Sequence, residues 1–174
     1  MLFRSPNQTD FSSVFGRNSY FKHFIVHSEA QPTSMATMFS AANMGNPYTI
    51  TLDFDTSKVT TYYGCFSFGI GSWGGNFTTI NGVLDFTSVT TEKGVGSMFT
   101  ATTNLKDVTF APNTLGVSLN ASTIPNINNT SLLSLINCLK DCTGEDALTL
   151  TVKDTWKTAD TGRLYANYVK LDAD

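Results

Sequence analysis

The chain has 174 residues, a formal net charge of −3 and only 14% charged residues, while 26 Thr, 16 Ser and 14 Asn make nearly a third of it small and polar. Eleven scattered Lys and Arg leave no electrostatic footprint for a phosphate backbone, which argues against nucleic acid as a partner. The chain also lacks an apolar run of the ~18 residues that a membrane span needs, and its first residues contain no apolar signal-peptide core.

Hydroxyl and amide residues favour turns, and Thr, Tyr and Phe favour pleated surfaces, so the composition predicts a mainly β protein with short helices. A content of 41% hydrophobic residues, 13 of them Phe, suffices for one continuous core in one domain. In chain order, four apolar-x-apolar triplets read as strands: Phe24-Ile25-Val26, Leu52-Asp53-Phe54, Leu84-Asp85-Phe86 and Val108-Thr109-Phe110. By the alternation of a strand, Ile25, Asp53, Asp85 and Thr109 point outward and their neighbours inward. Four aromatic landmarks alternate with the triplets: Val14-Phe15, Met38-Phe39, Cys65-Phe66 and Met98-Phe99. From landmark Phe to the next triplet the steps are 9, 13, 18 and 9 residues, and from triplet to the next landmark they are 15, 14 and 15. The basic period is about 23 to 24, with extra residues inserted around 40–48 and 67–79. One short strand per unit at such a period describes a solenoid, in which each turn buries its apolar face on the next and the landmark Phe fills the interior.

The stretch Leu52-Asp53-Phe54-Asp55-Thr56-Ser57-Lys58-Val59-Thr60-Thr61 and its copy Leu84-Asp85-Phe86-Thr87-Ser88-Val89-Thr90-Thr91, each leading to a landmark Phe, resemble the BspA-like leucine-rich repeats of bacterial surface and phage tail-associated proteins. The resemblance covers residues 31–110 best; before residue 30, Thr9-Asp10-Phe11-Ser12-Ser13-Val14 offers a second register. It implies a right-handed α/β leucine-rich-repeat solenoid of about four irregular repeats over 1–112, and an extracellular place on a bacterial surface or phage particle. A non-enzymatic recognition or adhesion role follows, with a glycan or a protein as ligand; the alternative is a structural or assembly component of a phage tail or surface particle.

From 113 to 174 the pattern changes to a capping module. Thr130-Ser131 precedes Leu132, Leu133, Leu135, Ile136 and Leu139 at helical spacing, with Gly144 as a stop. Ala147–Val152 alternates as a strand, 153–166 reads as turn and short helix, and Tyr168–Leu171 as a last strand. No equivalent cap opens the chain, so a neighbouring subunit or further chain is expected at the first edge, which would otherwise invite aggregation.

Chemistry is sparse. His23 and His27 stand four apart without a third ligand at a recognisable spacing, so neither metal nor cofactor is expected. Hydrolase, phosphate-loop and Cys-x-x-Cys motifs are absent. Asp53 and Asp85, on adjacent rungs about 5 Å apart, could imitate a glycosidase pair, but a repeat generates such a pair automatically. Five Asn-x-Ser/Thr sequons are expected by chance in such a composition, and three cysteines, Cys65, Cys138 and Cys142, make no complete disulfide framework, although Cys138 and Cys142 could meet on a helix. The candidate ligand-binding residues are therefore Tyr48, Trp73, Asn76 and Phe77 on the two insertions, which share one phase of the repeat, and Asp53 and Asp85 on the outward strand positions. Trp73 and Phe77 could instead fold back onto the core as a plug.

Overall fold

Residues 2–15, 23–40, 48–67, 77–141 and 148–153 are described by the structure, a computed structural model. Strands β1 (Leu2–Arg4), β2 (His23–His27), β3 (Tyr48–Asp53) and β4 (Phe77–Leu84) are followed by a one-turn helix α1 (Glu92–Val95). Strands β5 (Asp107–Phe110) and β6 (Leu119–Asn120), helix α2 (Asn129–Asn137) and strand β7 (Leu150–Thr151) complete the elements. Strands β1 to β5 lie side by side in chain order, every neighbour parallel, and β6 pairs with β7 in a separate two-stranded sheet. On the opposite side Asp10, Ser34 and Thr61 form a second parallel ladder, continued by the Tyr62 N–H to Gly94 carbonyl bond of 2.6 Å. The chain is thus mainly β with few short helices, wound as a β-solenoid of about three turns.

The small polar residues make the corners. Asp10, Ser34 and Thr61 each accept a hydrogen bond from the backbone N–H two residues on, at Ser12, Ala36 and Tyr63. The following residue in each case, Ser13, Thr37 or Gly64, has a left-handed φ of 60°, 53° or 57°. Only Gly64 adopts it without steric cost; the β-branched Thr37 is strained there. At other corners Asp55, Asp85 and Asn120 accept from the N–H of Ser57, Thr87 and Ser122 at 2.8, 2.8 and 3.0 Å. Much of the unusual composition is turn chemistry recurring along the coil.

The landmark phenylalanines stack through the interior. Ring centroids of Phe15 and Phe39, Phe39 and Phe66, and Phe66 and Phe99 lie 5.3, 5.8 and 5.9 Å apart with planes within 15°. All four are buried, and each pair adds about 0.5–1.5 kcal/mol to the burial of the rings. Their backbones form a column as well: the N–H groups of Phe15, Phe39 and Phe66 donate to the carbonyls of Met38, Cys65 and Met98.

The strand register differs from the triplet alignment. Phe24-Ile25-Val26 pairs with Ile50-Thr51-Leu52, and Val83-Leu84 with Thr109-Phe110, so the two middle triplets sit two residues further along than the outer two. Gly82 marks the irregularity in β4, with φ 113° and an approach so close that a Cβ there would lie 2.7 Å from the Leu52 carbonyl oxygen. A strand glycine at a register shift is a bulge residue.

Helix α2 closes the fifth strand. Its N-cap, Asn128, accepts from the Ser131 N–H at 2.8 Å, two to three residues before the Thr130-Ser131 start read from the sequence. Ser131 and Ser134, on one helix face, accept the Val108 and Phe110 N–H groups at 2.9 and 2.8 Å, while the Asn128 N–H donates to the Lys106 carbonyl at 2.9 Å. The helix therefore satisfies the edge of β5 as another strand would. Of the strand expected at 147–152, Leu150–Thr151 form β7, and residue 147 lies outside the described residues; β6 and α1 carry no sequence-level signal. The strand expected at Tyr168–Leu171, most of the turn before it and Cys142, hence a Cys138–Cys142 pair, lie outside the described residues. Among the described residues no helix is long and apolar enough to cross a membrane.

Candidate functional site

The parallel register fixes which side chains share the outer face of the five-stranded sheet. Leu2, Ile25, Thr51 and Asn81 form one row, Arg4, His27 and Asp53 the next, and His23, Thr49, Thr79 and Asp107 a third. Neighbouring rungs are cross-linked by side chains: Asn81 Nδ2 donates to Thr51 Oγ1 at 3.2 Å, and Thr79 Oγ1 to Asp107 Oδ2 at 3.4 Å. His27 Nδ1 lies 2.7 Å from Asp53 Oδ2, the two side chains 37% and 63% exposed; so wet a pair contributes less than about 1 kcal/mol. His23 and His27, four apart on a strand, both occupy the outer face, and no three His, Cys, Asp or Glu among the described residues converge to hold a metal ion. Ile25 and Val83 remain 41% and 47% exposed amid this polar surface. Val83 carries no signal in the triplet alignment, because the two-residue offset of β4 places it, rather than Asp85, opposite Thr109.

At the C-terminal ends of β3 and β4 the face runs into a shallow groove of about 470 Å³, lined by Asp53, Phe54, Asp55, Gly82, Val83 and Asp85 among others. Its wall is held from behind by buried groups. Thr56 Oγ1 accepts the Asp85 N–H at 2.9 Å and donates to the Val83 carbonyl at 2.8 Å. The Tyr62 hydroxyl donates to the Asp85 carbonyl at 2.8 Å, and burial pushes its pKa well above the ordinary phenol value. Asp55 accepts from the backbone N–H and hydroxyl of Ser57 and from Gln31, which hold its carboxyl below the usual range. That carboxylate stays ionised and accepts hydrogen bonds, the opposite of a poised general acid.

The sequence-derived candidates divide. Asp53 is exposed on the outer face and Asp85 lies half-buried just past the end of β4; they share the groove, while the β3–β4 register pairs run only as far as Thr51 and Asn81. Phe77 is 1% exposed with its ring 6.0 Å from Phe66, so it takes the core role that the sequence left open beside the ligand role. Trp73 and Asn76 lie outside the described residues, as does most of each insertion; Tyr48 opens β3. Tyr48 and Phe77 are register partners, so the two insertions rejoin the sheet side by side, as their common phase predicts. No family model matches the chain, and neither does any curated protein or solved structure with which it was compared.

Proposed function

We propose that the chain is a non-enzymatic recognition or adhesion module of right-handed leucine-rich-repeat type, BspA-like, that binds a glycan or a protein on a bacterial surface or phage particle. The observation that carries this reading is the outer sheet face, where exposed Ile25 and Val83 stand among Thr, Asn, His and Asp side chains fixed by the parallel register. Such a face needs little ordering on binding, which favours affinity. The adjacent return of the two insertions supports their contribution to the same contact, and per-repeat insertions commonly form a binding face. The lowered pKa of Asp55 supports recognition over glycoside cleavage, which requires a carboxylic acid that keeps its proton. The test is retention of the whole chain on a glycan and surface-protein array, with Trp73→Ala and Val83→Glu as variants. Binding that both variants lose at unchanged melting temperature supports the reading; no retention, or retention indifferent to both, overturns it.

A second reading, a structural component of a tail or surface particle, is favoured by one observation. Among the described strands β1 has a neighbour on one side only, and Leu2 on it is 50% exposed. An uncovered edge is a ready template for a neighbouring subunit. Native mass measurement separates the two: a stable homo-oligomer favours assembly, a monomer that binds on the array favours recognition.

A further inference from the structure

Away from the sheet face, the third turn of the solenoid meets the small β6–β7 sheet in a second groove, of about 250 Å³. From the solenoid it receives Glu92 at the start of α1 and Ser97 just after it; from the other side it receives Asn120, Thr149 and Thr151. Its apolar backing is Val95 and Leu119, both 3% exposed.

The polar groups are incompletely used. Asn120 spends its Oδ1 on the N–H and hydroxyl of Ser122, leaving its amide N–H donors. Among the described residues the side chains of Glu92, Ser97, Thr149 and Thr151 have no hydrogen-bond partner. The groove therefore offers a carboxylate that accepts from two hydroxyls, an amide that donates, and three hydroxyls that do either, over an apolar floor. A pyranose ring presents the complementary pattern: vicinal hydroxyls at its edge and C–H groups on its face. Phosphate and carboxylate ligands are repelled by Glu92, and a purely apolar ligand would strand the polar groups.

We infer that the junction groove formed by Glu92, Ser97, Asn120, Thr149 and Thr151 is a saccharide-binding site for a single neutral sugar residue, separate from the outer sheet face and independent of the reading given to that face. The charge-assisted hydrogen bonds to Glu92 carry much of the affinity. The whole chain, titrated with glucose, galactose, mannose and N-acetylglucosamine in turn, is expected to show amide chemical-shift changes for at least one sugar. These fall at 92–97, 118–120 and 149–151 and not at 79–83. Glu92→Gln weakens that binding about tenfold, and Asn120→Ala similarly, while Val83→Glu leaves it unchanged. The shift map needs no variant, so a folding defect in Asn120→Ala leaves the test intact. Shift changes with none of the four sugars, changes mapping elsewhere, or equal affinity in Glu92→Gln would overturn the assignment.

Discussion

Replacing Ser131 and Ser134 by alanine removes the two hydroxyls that stand where the next strand of the sheet would place carbonyls. Val108 is 3% exposed and Ser131 4% exposed, so the Val108 N–H that donates to Ser131 Oγ would be left without a partner away from water. A buried donor stranded in this way costs about 1–3 kcal/mol. Ser134 is half-buried, and its hydroxyl both accepts the Phe110 N–H and donates to the Phe110 carbonyl, so its loss falls towards the lower end of that range. Alanine's better helix propensity returns about 0.5 kcal/mol per site. The net expected loss for the double variant is about 1–3 kcal/mol, a sizeable part of the ~5–15 kcal/mol typical of a domain, and lowers the melting temperature by about 2–12 °C. Urea unfolding measures the loss, and amide hydrogen exchange locates it at Val108 and Phe110. Thr130→Ala, an exposed change on the same helix, should stay within about 0.5 kcal/mol of wild type. A double variant as stable as Thr130→Ala, with Val108 and Phe110 still protected, would refute the idea that the helix substitutes for a strand.

Gly82→Ala forces a side chain into a positive φ of 113° and against the Leu52 carbonyl oxygen, so it should destabilise by about 3 kcal/mol, read by thermal melting. Gly116→Ala, whose Cβ would meet only the flexible Lys140 side chain, should cost far less. Burial drives the Cys65 thiol well up and the Cys138 thiol to about 12, so neither should react with a thiol reagent at neutral pH until denaturant is added; mass spectrometry of the alkylated peptides reads this. Hydrogen bonds from Ser12 and from Ser57 depress the Asp10 and Asp55 carboxyls in the folded state. The stability they lend is therefore present above the unfolded value of about 4 and is lost as pH falls through the lower folded values. The melting temperature should fall below about pH 4, and Asp10→Asn with Asp55→Asn should flatten that fall.

The periodic features were legible because they are local. Landmark phenylalanines at near-constant spacing form the observed ring column, and the outward positions Ile25, Asp53 and Thr109 are exposed as alternation demands. The triplet alignment missed the register by two residues in the middle turns, yet the inward and outward faces survived, because an even slip preserves the alternation and an odd one inverts it. What the slip changed was the site: Val83 replaces Asp85 opposite Thr109, and Asp85 falls past the end of β4, where it shares a groove with Asp53. Gly82 was the available sign, an isolated glycine inside a strand pattern. The Ser131 and Ser134 contacts were illegible, since a serine on a helix face reads the same whether it meets water or the edge of a sheet. The β6–β7 pairing was illegible for another reason: β6 has only two residues, too few to show a period, and the register joins Leu119 to Leu150 across a long stretch of chain.

The outer sheet face as the recognition surface is tested most directly by comparing two charge insertions, each made together with Glu92→Gln to weaken the junction groove, on the array that retains the Glu92→Gln chain. Val83→Glu places a carboxylate at the centre of that face, and Leu133→Glu places one on the exposed side of α2, where the wild-type residue is equally open at 45%. Both variants should fold with melting temperatures within a few degrees of wild type. Loss of retention by Val83→Glu, with Leu133→Glu binding as the Glu92→Gln chain does, is the result predicted; equal retention by the two variants would contradict it.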